Sequence, residues 1–445
     1  MVSKTRPGHS AGSGALSALD RVREVARRDK DARFTALLHH VDVDRLREAY
    51  WAVRPQAAPG VDGVRWAAYG QELEANLADL HDRVHAGRYR ARPSRRAYIP
   101  KADGRSRPLG IATLEDKILQ RAVVEVFNAV YEADFLGFSY GFRPGRSPHD
   151  ALDALSVGIG QKKVNWVLDA DIRDFFTSLD HGWTERFLEH RIADKRVLRL
   201  VRKWLAAGVI EDGNWSETVE GAPQGASASP LLANVYLHYV FDLWADWWRR
   251  RYAHGDVIIV RFADDFTAGF EREADAQRFL ADLRERFAKF GLELHPDKTR
   301  LIEFRVPRGG PGKPDDPSST TRSFDLLGFR HFWGRTRKGN WAIFRKTAAD
   351  RLSRAVRAIA HWCRDNRHRP VSEQWRTLCQ KVRGHYGYYG LPANWSRLSA
   401  FLRAVGAAWH KWLNRRSSKR WLTWPRWQAL LQRFPLPAPS PALQA

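Results

Sequence analysis

Two short apolar segments that run into acidic residues constrain the fold of this chain more than any other feature. Val164–Ile172 has the composition of a buried strand, yet it contains Asp171 near its end. Asp256–Phe262 and Phe266–Phe270 predict two further strands around the turn Ala263-Asp264-Asp265. Carboxylates at the ends of buried strands repel one another and lose their hydration, so this arrangement is costly unless a cation compensates.

Magnesium is the cation that fits these residues best where phosphate is also present. Mg²⁺ prefers hard oxygen ligands, binds one or two carboxylates and completes its shell with water and substrate oxygens. Two such ions about 3.5–4 Å apart can activate a 3′-hydroxyl and stabilise a leaving pyrophosphate. An isolated Asp-Asp pair is more often an acidic surface turn, and this alternative stays open for Asp264 and Asp265 alone. Two acidic strand ends in one predicted sheet favour the metal site.

Positive charge is concentrated in the last quarter of the 445 residues. The formal net charge is +24, and residues 331–445 contain 23 Lys and Arg against 3 Asp and Glu, which is +20 of that total. Ten of the 19 Trp also follow residue 330. A nearly neutral body with a basic, Trp-rich extension indicates a catalytic part and a nucleic-acid-binding part. The alternative is a solvated basic surface around a Trp core, which self-repulsion disfavours.

Hydrophobic periodicity predicts helices and strands in irregular order, so the expected fold class is α+β. Leu114–Tyr131 carries apolar residues at every fourth position and is predicted to be a helix, whereas Arg95–Gly110 reads as strand-turn-strand. Ser229 and Pro230 predict a helix N-cap and its first residue. No apolar run is long enough to span a membrane, no secretion signal is visible, and two cysteines fit a reducing cytosol.

Ten sequence blocks, together and in this order, are far more specific than any one alone. They are Ala58-Pro59-Gly60-Val61-Asp62-Gly63, Ile99-Pro100-Lys101, Arg107-Pro108-Leu109-Gly110-Ile111, Gly141-Phe142-Arg143-Pro144-Gly145-Arg146-Ser147, Asp171-Ile172 with Phe175-Phe176, Gly221-Ala222-Pro223-Gln224-Gly225, Ser229-Pro230-Leu231-Leu232-Ala233-Asn234, Phe262-Ala263-Asp264-Asp265, Asp297-Lys298-Thr299 and Leu326-Leu327-Gly328-Phe329. From about Asp31 to Pro437 the chain resembles the bacterial group II intron reverse transcriptases, also called maturases. One departure is Phe262, where many relatives have tyrosine.

The resemblance implies a right-hand polymerase, with fingers and palm followed by an α-helical thumb or maturase domain. The implied division is a flexible segment 1–28, an N-terminal extension with fingers 29–160, a palm 161–335 and the thumb/maturase domain 336–445, with helices expected from Arg345. The implied activity is synthesis of DNA on an RNA template from a DNA primer and dNTPs. It would use two Mg²⁺ ions, for which Mn²⁺ is a possible substitute. Further implied partners are structured RNA, expected to be group II intron RNA, and target DNA, in a bacterial cytoplasm.

The family's site residues carry over to matching positions of this sequence. The implied metal ligands are Asp171, Ile172, Asp264 and Asp265, of which the three aspartates are catalytic. The implied nucleotide-binding residues are Lys101 and Arg107 for the triphosphate, Phe176 under the sugar, Gln224 beside the template-nucleotide pair, and Lys298. Asp169 shares a strand face with Asp171, but the family motif gives it no ligand role, so a supporting or solvated position is expected.

The basic C-terminal segment is expected to bind RNA. The candidate contacts are Arg351, Arg354, Arg357, Arg415, Arg416, Lys419 and Arg420, because arginine forks bind phosphate, while most of the Trp residues are expected in a core. Relatives with an endonuclease have a Cys/His-rich domain, and the two cysteines here cannot build one, so a borrowed primer is expected for insertion. Two alternatives stay open: a domesticated relative acting in phage defence, and a splicing-only RNA-binding maturase.

Overall fold

A computed structural model describes residues 17–100, 106–211, 214–216, 221, 225–307, 322–416 and 421–440. In these ranges helices α1 to α15 are, in order, Ala18–Arg28, Val43–Ala52, Trp66–Tyr69, Leu73–His85, Leu114–Tyr131, Pro148–Gln161, His181–Glu189, Lys195–Leu205, Ser229–Leu237, Leu243–Arg251, Glu273–Ala288, Ala349–Asp365, Val371–Tyr389, Trp395–Asn414 and Trp424–Arg433. Strands β1 to β11 are Ser94–Pro100, Ser106–Ile111, Trp166–Asp171, Val209–Glu211, Asn214–Ser216, Val257–Phe262, Asp265–Phe270, Arg300–Glu303, Phe324–Leu326, Phe329–Arg335 and Trp341–Thr347. The mixture confirms the predicted α+β class. None of the described helices has the length and apolar character needed to cross a bilayer.

The central sheet has the strand order β6-β7-β3-β8, and all of its pairings are antiparallel. Strand β3 lies between β7 and β8, and most of its side chains are buried. The three strands predicted from apolar composition are therefore confirmed to within two residues at each end. Helices α9 and α11 pack beside this sheet and share its largest hydrophobic core, which also contains the predicted helix α5.

A second sheet has the order β2-β1-β4-β5. Strands β1 and β2 form the predicted strand-turn-strand unit, in which Ile99 pairs with Arg107, and β1 also pairs in parallel with β4. Residues 101–105 at the tip of this hairpin, which include Lys101, lie outside the described residues. The parallel pairing connects the hairpin to the chain segment that leads into α9.

The third sheet, β11-β10-β9, extends beyond the boundary predicted between palm and thumb. The long hairpin β10–β11 reaches Thr347, so the division expected at residues 335 and 336 lies where β10 ends and the hairpin turn begins. The expectation that helices begin at Arg345 was wrong, because Arg345 pairs with His331 in the hairpin and α12 begins at Ala349. Strand pairing determines the structure here, and β11 lacks a regular alternation of apolar and polar residues that would have predicted it.

Helices α12 to α15 enclose a separate hydrophobic core. Trp409 and Trp427 are buried in it, together with Cys363 and Val405. The predicted apolar stripes of this segment therefore pack against one another. Trp421 and Trp424 differ, since both are largely exposed.

Helix α9 departs from its predicted start and continuation. Ser229 is the first helical residue and Ala228 occupies the cap position, so the predicted serine N-cap was wrong, although proline does follow in the first turn. The helix does not run on as α-helix to Leu243, because a π-helical turn, His238–Asp242, separates α9 from α10. Such turns add a residue and redirect the side chains that follow.

Candidate active site

The register of the central sheet brings the predicted carboxylates together. Asp171, the last residue of β3, pairs with Asp265, the first residue of β7. Asp265 also pairs with Phe262 at the end of β6, so Ala263 and Asp264 form a two-residue hairpin turn. Directly opposed residues in antiparallel strands have their Cβ atoms about 4.5–5.5 Å apart. Three aspartates from two distant parts of the sequence therefore share one end of the sheet.

Electrostatic repulsion at this end of the sheet is strong. Burial, with the nearby charges of Asp169, Asp171 and Asp264, raises the pKa of Asp265 to about 8. Burial also raises the pKa of Asp169 to about 6, although Arg300 acts in the opposite direction. A raised pKa means that the ionised carboxylate is disfavoured at this site, so a bound cation would stabilise it.

Two basic side chains already offset part of this negative charge. Lys298 forms an ion pair with Asp171, and Arg300 donates to Asp169 at 2.9 Å. The carboxylate of Asp169 is therefore paired with the guanidinium of Arg300, which fits a supporting position behind the other aspartates. Among the described residues no ion pair within 4 Å involves Asp265, and the more distant charge of Lys298 offsets only part of the rise in its pKa.

The donor set suits a hard cation that shares its coordination with a substrate. In the described ranges no group of three or more His, Cys, Asp or Glu side chains is arranged to enclose a metal ion. The three aspartates at the sheet end supply the hard oxygen ligands that Mg²⁺ prefers, and water and substrate phosphates would complete its coordination. The predicted ligand Ile172 lies opposite Leu294 in an isolated antiparallel bridge. The hydrogen bonds of this bridge run from Arg173 to the carbonyl of Glu293 and from His295 to the carbonyl of Asp171, so they do not use the Ile172 carbonyl. The residues present therefore fit magnesium.

Phe176, a predicted nucleotide-binding residue, follows the end of β3 in the short helical turn Phe175–Thr177. Phe176 is half-buried, with its ring edge-on to Phe175 at 5.5 Å between centroids. The Phe176 carbonyl lies close to Gly221, because a Cβ atom built on Gly221 would be 2.9 Å from the Phe176 carbonyl oxygen. In the same way, a Cβ on Gly225 would lie 3.0 Å from the carbonyl of Gly110 in β2. A larger residue would therefore clash at both positions, with the backbone of Phe176 at Gly221 and with the backbone of β2 at Gly225.

Three of the predicted nucleotide contacts cannot be placed in full. Gln224 and Lys101 lie outside the described residues, as does the side chain of Arg107, whose backbone belongs to β2. Lys298 is described, and its side chain is 56% exposed while it pairs with Asp171. Of the predicted polar contacts, Lys298 is thus the one that the structure brings to the carboxylates.

The predicted RNA contacts in the helical segment fall into different environments. Arg351 and Arg354 both pair with Asp350, at 3.6 and 2.5 Å. Arg357 lies on the exposed side of α12 and Arg415 stacks on Trp412, with 5.1 Å from guanidinium carbon to ring centroid. Lys419 and Arg420 lie outside the described residues.

Arg416 differs from the other described candidates because it also bonds to backbone carbonyls distant in the sequence. Its guanidinium donates to the carbonyls of Arg367 and Arg369, in the turn after α12, and burial lowers its pKa. These bonds satisfy carbonyl groups near a helix end, which is a structural task. Arg416 therefore joins the end of α14 to the α12–α13 turn, and its contact with RNA stays a prediction.

Sequence reasoning missed the contact of Tyr388 with the turn between β9 and β10. Its hydroxyl donates to the carbonyl of Leu327 at 2.8 Å. Burial, with a smaller contribution from the charge of Asp265, raises the pKa of Tyr388 to about 12. Tyr388 lies in Gly387-Tyr388-Tyr389-Gly390, which resembles the family's maturase domain, but its contact partner is 61 residues away and has no sequence signal.

Comparison with known proteins agrees with this geometry. Protein YkfC of Escherichia coli (strain K12) is 39% identical over 183 residues, 40% of this chain and 48% of that protein. The group II intron-encoded protein LtrA of Lactococcus lactis subsp. cremoris is 32% identical over 225 residues, 50% of this chain and 37% of LtrA. An uncharacterized 91 kDa protein in the cob intron of Schizosaccharomyces pombe is 32% identical over 242 residues, 52% of this chain and 29% of that protein. The chain thus spans less than half the length of these relatives.

The family model for reverse transcriptase (RNA-dependent DNA polymerase) matches residues 99–331. This match covers more than half of the chain and includes all three sheet-end aspartates, Phe176 and Lys298. It ends at His331, just inside the hairpin β10–β11. By sequence similarity and by the geometry of its carboxylate site, the chain belongs to the reverse transcriptase family.

Proposed function

We propose that this protein is a magnesium-dependent RNA-directed DNA polymerase. The observation that carries the proposal is the pairing of Asp171 with Asp265 beside the Asp264 turn, in the region that matches the reverse transcriptase family. Asp171, Asp264, Asp265 and the carbonyl of Ile172 would hold Mg²⁺. When bound, two such ions lower the pKa of a primer 3′-hydroxyl and stabilise the leaving pyrophosphate.

The protein's own residues prepare this site before a substrate binds. Lys298 neutralises Asp171 in the free protein, and its exposed side chain can turn to a nucleotide phosphate when a metal takes its place. Asp169, held by Arg300, keeps its charge balanced behind the ligands. Phe176 follows Asp171 by five residues and has a half-buried ring, which in this proposal would exclude a ribose 2′-hydroxyl and so favour deoxynucleotides.

RNA is the proposed template and also the proposed partner of the helical segment α12 to α15. The net charge of +20 after residue 330 supports binding to a polyanion, and Arg351, Arg354, Arg357 and Arg415 line the described part of this segment. Because LtrA is a group II intron-encoded protein, we extend the proposal to structured intron RNA as the physiological partner. Assistance to splicing and mobility would follow from that binding.

The test is primer extension with purified protein on an RNA template. Asp264→Ala or Asp171→Ala should abolish DNA synthesis, because each removes a ligand from the reacting centre. Filter binding to the same RNA should change little, since neither residue belongs to the helical segment. A matched control is Glu285→Ala, which removes an exposed acid from α11 and should leave both activities intact.

Two outcomes would contradict the proposal. Continued extension by either aspartate variant would show that these carboxylates do not hold the catalytic metal. Wild-type protein that binds RNA but never extends a primer, with any mixture of deoxy- and ribonucleotides, would favour the splicing-only maturase. Comparison of RNA and DNA templates in the same assay tests the template preference.

A further inference from the structure

A fully buried arginine lies directly behind the catalytic turn. Arg261 occupies β6, in an otherwise apolar strand, and none of its side chain is exposed. A guanidinium has five N–H donors, and in Arg261 all five have acceptors. The acceptors are both carboxylate oxygens of Asp242 (2.7 and 2.6 Å), Oδ1 of Asn234 (3.0 Å), Oγ of Ser139 (2.7 Å) and the carbonyl of Ala263 (3.0 Å).

These bonds connect the turn to three other segments. Asp242 ends the π-helical turn and Asn234 lies in α9, where its amide also donates to the carbonyl of Gly141 at 2.6 Å. Gly141 lies against the turn, because a Cβ there would be 2.3 Å from the nitrogen of Ala263. The turn is therefore held by Arg261 on one side and by the backbone at Gly141 on the other.

The turn needs such support because its backbone is strained. Ala263 has φ +58°, in the left-handed region that residues other than glycine avoid at a cost of about 1 kcal/mol or more. The Ala263 carbonyl that accepts from Arg261 belongs to the same planar peptide unit as the nitrogen of Asp264. Fixing that carbonyl thus fixes the orientation in which the Asp264 backbone leaves the turn.

We propose that Arg261 is a positioning residue that sets the carboxylate of Asp264 for metal binding, through the carbonyl of Ala263. The inference deepens the proposed function and rests on Asp264 being a metal ligand. A purely structural ion pair with Asp242 would explain two of the five bonds, and such buried pairs are often replaceable without loss of stability. It would not explain why the same guanidinium holds the strained turn.

The test measures metal binding without substrate. Arg261→Lys keeps the positive charge, but lysine donates from one nitrogen and cannot reach Asp242 and the Ala263 carbonyl together. Mn²⁺ affinity is measured by electron paramagnetic resonance on the full chain without nucleic acid or nucleotide. The relevant Mn²⁺ site is the one lost in Asp264→Asn. Arg261→Lys should weaken this site about 10-fold or more, as loss of groups that orient metal ligands commonly does.

Arg191→Lys is the matched control. Arg191 is also buried, lies 3.2 Å from Asp134 and donates to the carbonyl of Ala26 at 3.2 Å, away from the carboxylate site. It should lower the melting temperature and leave Mn²⁺ affinity unchanged. Equal loss of Mn²⁺ affinity in Arg191→Lys, or unchanged affinity in a folded Arg261→Lys, would overturn the proposal.

A milder variant covers the case in which Arg261→Lys does not fold. Asp242→Asn keeps the size of the partner and one acceptor oxygen, and it should weaken the Mn²⁺ site in the same direction by a smaller factor. Unchanged Mn²⁺ affinity in Asp242→Asn would then overturn the inference. Primer extension is measured separately. If wild-type protein binds Mn²⁺ at the Asp264 site but never synthesises DNA, the proposed polymerase function fails while the positioning result stands.

Discussion

Phe176 allows the clearest test of nucleotide selection by a single side chain. Its ring is half-buried and its backbone is held against Gly221. Phe176→Val should lower the discrimination between deoxy- and ribonucleotides at least about 10-fold, or about 1.4 kcal/mol, because the smaller side chain leaves room for a 2′-hydroxyl. Single-nucleotide incorporation with dNTP and rNTP in parallel measures this ratio.

Phe175→Leu is the control for the Phe176 variant. Phe175 is buried in the main core beside Phe176, so its replacement should reduce stability without changing the sugar preference. Unchanged discrimination in Phe176→Val would move the sugar-excluding group to another residue.

The pKa of Asp265 predicts a pH-dependent response to magnesium. A carboxyl whose pKa is raised to about 8 in the folded state stabilises the fold fully below its ordinary pKa near 4, and this contribution is lost as pH rises through about 8. Metal-free protein should therefore lose stability from pH 6 to pH 8, by about 2 kcal/mol at most. Mg²⁺ binds the ionised carboxylates, so it should raise the melting temperature more at pH 8 than at pH 6.

Asp265→Asn separates this effect from other ionisations. The amide cannot ionise, so the metal-free variant should lose less stability between pH 6 and pH 8 and should respond weakly to Mg²⁺. Glu285→Gln, on the exposed face of α11, should behave as wild type. An equal Mg²⁺-induced shift at both pH values would contradict the charge argument.

Among the structural elements, the turn between β9 and β10 connects the sheets to the helical segment. Leu327 and Gly328 both have positive φ values, +51° and +82°. Tyr388 of α13 donates to the carbonyl of Leu327, and a Cβ on Gly328 would lie 3.0 Å from the hydroxyl of Tyr389. The end of α13 therefore packs directly against this turn.

Tyr388→Phe should weaken that connection. Loss of one partly buried hydrogen bond should destabilise the protein by about 1 kcal/mol and lower primer-extension efficiency severalfold. Tyr386→Phe is the control on the same helix, since within the described residues its buried hydroxyl has no hydrogen-bond partner and its removal should cost nothing. Equal effects of the two variants would show that the Tyr388 hydroxyl has no special role.

The same elements show what sequence patterns can and cannot predict. Strands β3, β6 and β7 were predictable because each is a short apolar run, of the length of a buried strand, next to turn-forming or acidic residues. The π-helical turn that ends at Asp242 was not predictable, because no residue pattern marks an inserted residue in a helix. Arg261 did carry a signal, since a charge inside an apolar strand needs a buried partner, but the partner depends on tertiary packing. Arg416 looked like its exposed neighbours and is distinguished only by its carbonyl contacts.

Considered as a whole, the molecule has a nearly neutral catalytic part and a basic helical part. Replacing Arg351, Arg354 and Arg357 together by Gln should weaken binding to structured RNA and reduce the slope of log affinity against log salt by about 1–2. The reduction should be smaller than three full charges would give, because Asp350 already pairs with two of these residues. Titration of labelled RNA at several salt concentrations measures the slope.

A control with the same loss of charge tests whether location matters. Arg199, Arg251 and Arg284 are exposed on helices of the catalytic part, and their joint replacement by Gln should change the RNA slope less. Extension of a short primer-template at saturating concentration should survive the α12 variant. Equal loss of RNA binding in both triple variants would show that only net charge matters.

The strand order of the central sheet has a consequence for synthesis of the protein on the ribosome. Strand β3 is the first of the four to be made, yet it lies between β7 and β8. The partners of its acids follow much later, since Lys298 lies 127 residues after Asp171 and Arg300 lies 131 after Asp169. Contacts so distant in sequence form slowly and late. A nascent chain therefore carries Asp169 and Asp171 without their basic partners until β8 has emerged, although β7 can already pair with β3.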